Sequence, residues 1–149
     1  SVCQSQGYQP ASSAATTADN LNISAADALM IRDGKTFAGM HIIVDLYEAE
    51  HLDDIELVDK VMRECIEKCG ANLLHIHLHH FTPNNGVTGV AVLSESHISV
   101  HTWPERNFAA FDIFMCGNAE PELAVDILQD RFNAKKIIST AKQRGSYLS

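Results

Sequence analysis

The densest run of reactive side chains is Ser94-Glu95-Ser96-His97-Ile98-Ser99-Val100-His101-Thr102-Trp103-Pro104-Glu105. A serine and a histidine at short range suggest nucleophilic chemistry, in which the imidazole takes the hydroxyl proton. No Gly-x-Ser-x-Gly elbow exposes such a serine, so the spacing alone does not make a hydrolase. The plainer reading is a strand with a polar face turned to solvent. A second constellation is His75-Ile76-His77-Leu78-His79-His80. On a strand His75, His77 and His79 share one face, and a row of imidazoles can take zinc, copper or nickel. The same row serves equally as polar surface. Of the four cysteines, Cys65 and Cys69 stand one helical turn apart and fit an apolar helix face better than a bridge; Cys3 and Cys116 are isolated in sequence.

The elements that must position these groups follow from residue pattern. His41 to Tyr47 is rich in β-branched residues and reads as a strand. From Asp53 to Cys69 the period changes: Ile55, Val58, Met62, Cys65, Ile66 and Cys69 fall three and four apart, an apolar stripe that Gly70 ends. Strands follow at 72–81, 87–93, 98–103 and 109–115, with Pro83-Asn84-Asn85-Gly86 as a turn. Pro121 opens a second helix carrying Leu123, Ala124, Ile127, Leu128 and Phe132, and a last strand spans 136–140 before a polar tail. Four consecutive central strands favour an antiparallel sheet. The expected fold is α+β, a two-layer α/β sandwich with both helices on one face. The other face is then wet or covered by a partner.

Composition narrows the function classes. The 149 residues suit one domain, and residues 1–36 are small and polar enough to read as a flexible arm, with a short helical turn near Ala25–Met30. The net charge of −8 argues against nucleic acid, which asks for a basic face. No apolar run is long enough to span a membrane, the N-terminus does not resemble a secretory signal, and the cysteine pattern is not a disulfide framework. A reducing, cytoplasmic setting is expected.

The stretch from Leu93 to Glu105 resembles the signature of prokaryotic S-adenosylmethionine decarboxylases, small pyruvoyl enzymes made as self-cleaving proenzymes. The resemblance runs from about Gly39-Met40-His41 to Arg144-Gly145 and takes in Phe81, Gly86-Val87-Thr88-Gly89-Val90 and Phe114-Met115-Cys116-Gly117. It implies that residues 37–149 form the decarboxylase domain. The serine matching Ser96 attacks the carbonyl of Glu95, turning the amide into an ester. Elimination of that ester and hydrolysis leave a pyruvoyl group on the new N-terminus, with a β chain of 1–95 and an α chain of 96–149. The ketone condenses with the substrate amine and accepts the electrons freed as carbon dioxide leaves. The product is decarboxylated S-adenosylmethionine, the aminopropyl donor for spermidine.

By the same resemblance, His101 removes the serine α-proton during processing, and Thr88 stands where relatives carry a processing serine. Cys116 protonates the substrate carbon, Phe81 and Trp103 stack on adenine, and Glu105 accepts from the ribose hydroxyls. No metal is implied, and the working unit is a homodimer of αβ units with its site near the interface. In an ideal strand Ser96 and His101 face opposite sides, so the cleavage site is expected at a bend or strand end. Departures from the family pattern are one extra residue near Asn84-Asn85, the Arg106-Asn107-Phe108 segment and the long arm. Two other functions stay open: a pyruvoyl decarboxylase of ornithine or arginine, against which Arg106 weighs, and an uncleaved, metal-binding homologue using His75, His77 and His79.

Overall fold

The computed structural model describes residues 28–148. A small hairpin comes first, β1 (Met30–Arg32) and β2 (Lys35–Phe37), turning at Asp33-Gly34 with both residues at positive φ. Then come β3 (Gly39–Tyr47), α1 (Ile55–Cys69), β4 (Leu73–His80), β5 (Val87–Leu93), β6 (Ser96–Trp103), β7 (Phe108–Met115), α2 (Leu123–Arg131) and β8 (Lys136–Arg144). The last six strands form one antiparallel sheet in the order β4-β5-β6-β7-β3-β8. Among the described residues no helix is long and apolar enough to cross a membrane.

The expected α+β architecture is what the chain adopts, with several shifts of boundary, among them β3 starting at Gly39 and β6 at Ser96. Residues 30–37, given mostly to the arm, form the hairpin, because an Asp-Gly pair supplies the two left-handed residues a tight turn needs. The rest of the arm, and most of the expected turn at Ala25–Met30, lie outside the described residues. The second helix begins at Leu123 rather than Pro121. The last strand runs on to Arg144, where polar side chains matter less than a full ladder of backbone bonds to β3.

Strand alternation separates the two faces of the sheet. Ile42, Val44, Leu46, Ile98, Val100, Phe111, Ile113 and Met115 point to the helices and are almost completely buried. Helix α1 meets them with Val58, Val61, Met62, Cys65, Ile66 and Cys69, and α2 adds Ala124 and Leu128. Phe132, just past α2, packs its ring 5.9 Å from that of Phe111. A helix-side polar group, Thr102, is satisfied by accepting from Val87 N–H and donating to Leu52 C=O, both at 2.8 Å.

Helix α1 starts where the Asp54 carboxylate accepts from the Leu57 N–H at 3.1 Å, and it stops at Gly70 in the left-handed conformation, φ 79°. Asp54→Ala leaves that N–H without its cap. A loss of about 1 kcal/mol is expected, read as a lower midpoint of denaturant unfolding with an unchanged slope.

Candidate active site

Ser94 and Glu95 form the two-residue turn between β5 and β6, since Leu93 and Ser96 are paired across it. Glu95 has φ 60°, a left-handed conformation that a side chain with Cβ tolerates poorly. Such a residue stores roughly 1–3 kcal/mol of strain, and here it sits directly before Ser96. The bend expected between Glu95 and Ser96 is therefore present.

The end of β7 comes up against this turn. Cys116 N–H donates to Ser96 Oγ at 3.2 Å, and the Cys116 thiol donates to the Glu95 carbonyl oxygen at 3.1 Å. Three residues brought out by the sequence thus meet at one end of the sheet. The thiol touches the carbonyl that Ser96 would attack, so it polarises that bond and can follow charge onto the oxygen. Burial pushes the Cys116 thiol above its ordinary value, against a lowering contribution from Ser96. It is therefore a protonated donor at neutral pH. Cys65 and Cys69 lie in the core, where burial also raises both thiols, Cys69 to about 11.

The other named residues gather elsewhere. Thr88 and His101 are cross-strand partners, with Thr88 Oγ1 3.1 Å from His101 Nδ1. The Trp103 ring lies 6.2 Å from that of His101, and Phe81 is edge-on to His79 at 4.5 Å. Glu105 is exposed in the short helical turn Pro104–Arg106 after β6. This second group occupies the outward face and far end of β4, β5 and β6. His101 is five residues along β6 from Ser96, about 16 Å at roughly 3.3 Å per residue. One chain does not bring Ser96 and His101 together.

Between the two groups, also facing outward, lies a cluster to which sequence analysis gave no role. His41 Nε2 contacts one Asp112 oxygen, and His97 Nε2 lies 3.4 Å from the other. These three residues converge closely enough to suggest a metal site. However, Arg144 Nη1 is 3.0 Å from His41 Nδ1. A guanidinium only donates, so Nδ1 accepts, Nε2 carries the proton, and His41 donates to Asp112. A ring so arranged has no free nitrogen for a cation. The histidine row of β4 is no better placed: His75, His77 and His79 sit on one face, but successive members are about 7 Å apart along an exposed strand.

The model of the S-adenosylmethionine decarboxylase family matches residues 40–145. The chain belongs to the S-adenosylmethionine decarboxylase family. Its sequence is 38% identical over 108 residues to an S-adenosylmethionine decarboxylase proenzyme of Thermomicrobium roseum, covering 72% of this chain and 93% of that relative. It is 44% identical over 111 residues to the proenzyme of Methanococcus aeolicus, covering 72% and 94%. Among solved structures, the adenosylmethionine decarboxylase of Aquifex aeolicus superposes with a TM-score of 0.64 at 32% identity, over 74% of this chain and 92% of that one. As a member of the S-adenosylmethionine decarboxylase family the chain is an enzyme of the proenzyme type, and its hairpin β1–β2 lies outside the matched residues.

Proposed function

We propose that the chain cuts itself between Glu95 and Ser96 and that the product decarboxylates S-adenosylmethionine. The observation that carries this reading is the pair of bonds from Cys116, one to Ser96 Oγ and one to the Glu95 carbonyl. Ser96 Oγ attacks the Glu95 carbonyl carbon while the thiol supports its oxygen. The C–N bond breaks, and the Glu95 acyl group passes to the Ser96 oxygen as an ester. Loss of the Ser96 α-proton expels the Glu95 carboxylate, and water then replaces the nitrogen as ammonia. The pyruvoyl group so formed fits a chain end already in contact with a proton-donating thiol. It would supply a carbonyl sink for the electrons released with carbon dioxide. Cys116 holds the proton that the product carbon needs. Phe81 and Trp103 offer flat faces to adenine, and Glu105 offers acceptors to the ribose hydroxyls.

The separation of Ser96 from His101 and Thr88 is resolved by a second copy. The outward face carries exposed Ile43, Val90, Val92, Trp103 and Ile138, apolar surface that favours a partner. In a two-fold dimer packed sheet to sheet, what one chain offers the other receives. The partner's His101 group then lies over the Ser96 end, and two composite sites form. His101 takes the α-proton, and Thr88 orients its ring. Buried free thiols on α1 suit a reducing cytoplasm.

Intact mass under denaturing conditions, with and without borohydride, tests the reading. Two pieces, 1–95 and 96–149, are expected, the second gaining the mass of a reduced carbonyl. Ser96→Ala is expected to stay whole. A wild-type chain that stays whole and unreduced would overturn the proposal.

A further inference from the structure

The turn that carries Cys116 is gripped by a segment outside the family match. On the protein side it is tied to helix α1, since Glu120 N–H donates to Cys69 C=O at 2.8 Å. On its outer side it meets the hairpin and Ala28 just before it. Gly117 N–H donates to Ala28 C=O at 2.9 Å. Arg32 Nη2 donates to Ala119 C=O at 3.1 Å, and the same guanidinium forks onto the Glu122 carboxylate at the start of α2. The hairpin is itself anchored. Met30 and Phe37 pair across it and are 1% and 0% exposed, and Ala38 N–H donates to Arg144 C=O at 2.7 Å.

These bonds meet at residues 117, 119 and 122, immediately after the thiol that donates to the Glu95 carbonyl. A thiol has one proton and weak directionality, so its contact depends on how firmly the backbone behind it is held. The residues matched by the family model begin at 40, so the grip comes from residues outside the matched segment.

We propose that hairpin β1–β2 is a clamp on the Cys116 turn, with Arg32 as its positioning residue. Arg32 never reaches the reacting atoms. It fixes the carbonyl of Ala119 and the first turn of α2 at once, a task for a planar fork with several donors that a lysine ammonium performs less well. With the fork gone, the turn swings outward and the thiol leaves the Glu95 carbonyl for water.

The inference rests on the reading of Cys116 given above, so its test separates the two. Full-length chains carrying Ser96→Ala, which stay whole, are made with Arg32 intact, Arg32→Ala and Arg32→Lys. Iodoacetamide alkylation of the Cys116 peptide is followed by mass across pH, and thermal melting checks folding. Arg32→Ala is expected to move the alkylation midpoint down toward that of an ordinary thiol and to speed labelling about tenfold at fixed pH, as a solvated thiol regains its ordinary acidity. Arg32→Lys is expected to move it less in the same direction, and it stands in if the alanine variant does not fold. An unchanged profile in a folded Arg32 variant overturns the clamp. Cleavable chains give the second readout: kcat for S-adenosylmethionine should fall about tenfold in Arg32→Ala, with KM nearly constant, because misplacement of a reacting group alone can cost up to ~100-fold. A shifted profile with unchanged kcat leaves the clamp standing and removes Cys116 from turnover.

Discussion

Co-expressed His101→Ala and Ser96→Ala chains are expected to yield cleaved protein, although neither chain alone should cleave. The Ser96→Ala chain lacks the nucleophile, and the His101→Ala chain lacks the base. Were the site complete within one chain, mixing would change nothing. Because β6 holds the two residues about 16 Å apart at roughly 3.3 Å per residue, the proposed base would serve a serine on the other copy. In a mixed dimer the His101→Ala chain contributes Ser96 and receives His101 from its partner, so one of the two sites is whole. Random pairing at equal expression puts about half of the His101→Ala chains in such dimers. Intact mass identifies the cleaved chain without a tag, since its 96–149 fragment carries the alanine at 101. Recovery of that fragment at roughly half of its maximum is the expected result. Its complete absence from a mixed, folded dimer would sink the shared site.

Much of the fold is legible in the residues, and so is the Ser96 end of the site. The stripe from Ile55 to Cys69 announces α1, Gly70 its end, and the β-branched runs the strands. Parity along β6 also shows that Ser96 and His101 point to opposite faces. The left-handed Glu95 supplies the expected bend, yet it does not bring His101 any nearer. Parity says which face a side chain takes, whereas strand length decides how far apart two residues lie, and that distance is what calls for a second chain. The cluster of His41, His97 and Asp112 was hidden for a different reason. Each stands on a separate strand, and only the pairing of His41 and His97 with Phe114, and of Ile43 and Ser99 with Asp112, brings them together. The hairpin β1–β2 has a local signal of its own, since Asp33-Gly34 is a strong two-residue hairpin motif.

Cys116→Ala should separate the two jobs assigned to the thiol. In processing the thiol supports the Glu95 carbonyl, while the Cys116 backbone N–H, which donates to Ser96 Oγ, survives the substitution, so both fragments should still form, more slowly. In turnover it is the proposed proton source, and loss of a general acid typically costs 10²- to 10⁴-fold; a fall in kcat of about 10³-fold is expected. Cys116→Ser sharpens the contrast. Its hydroxyl still donates to the Glu95 carbonyl, and cleavage returns toward the wild-type rate. A serine hydroxyl is a far weaker acid than a thiol, so turnover stays low. The pH profile follows from the direction of the thiol's shift. Burial raises it, so the donor form is full throughout the neutral range and is lost only as pH climbs past the raised value. Turnover should therefore hold beyond the range where an ordinary thiol, near pH 8.5, has begun to ionise. It then falls on the alkaline side, and this group sets no acid limit. Full turnover in Cys116→Ala, or an alkaline fall that survives in it, would assign the proton to another group. His97, next to Ser96 in sequence but turned to the outward face, and His41 beside it would be the next to test.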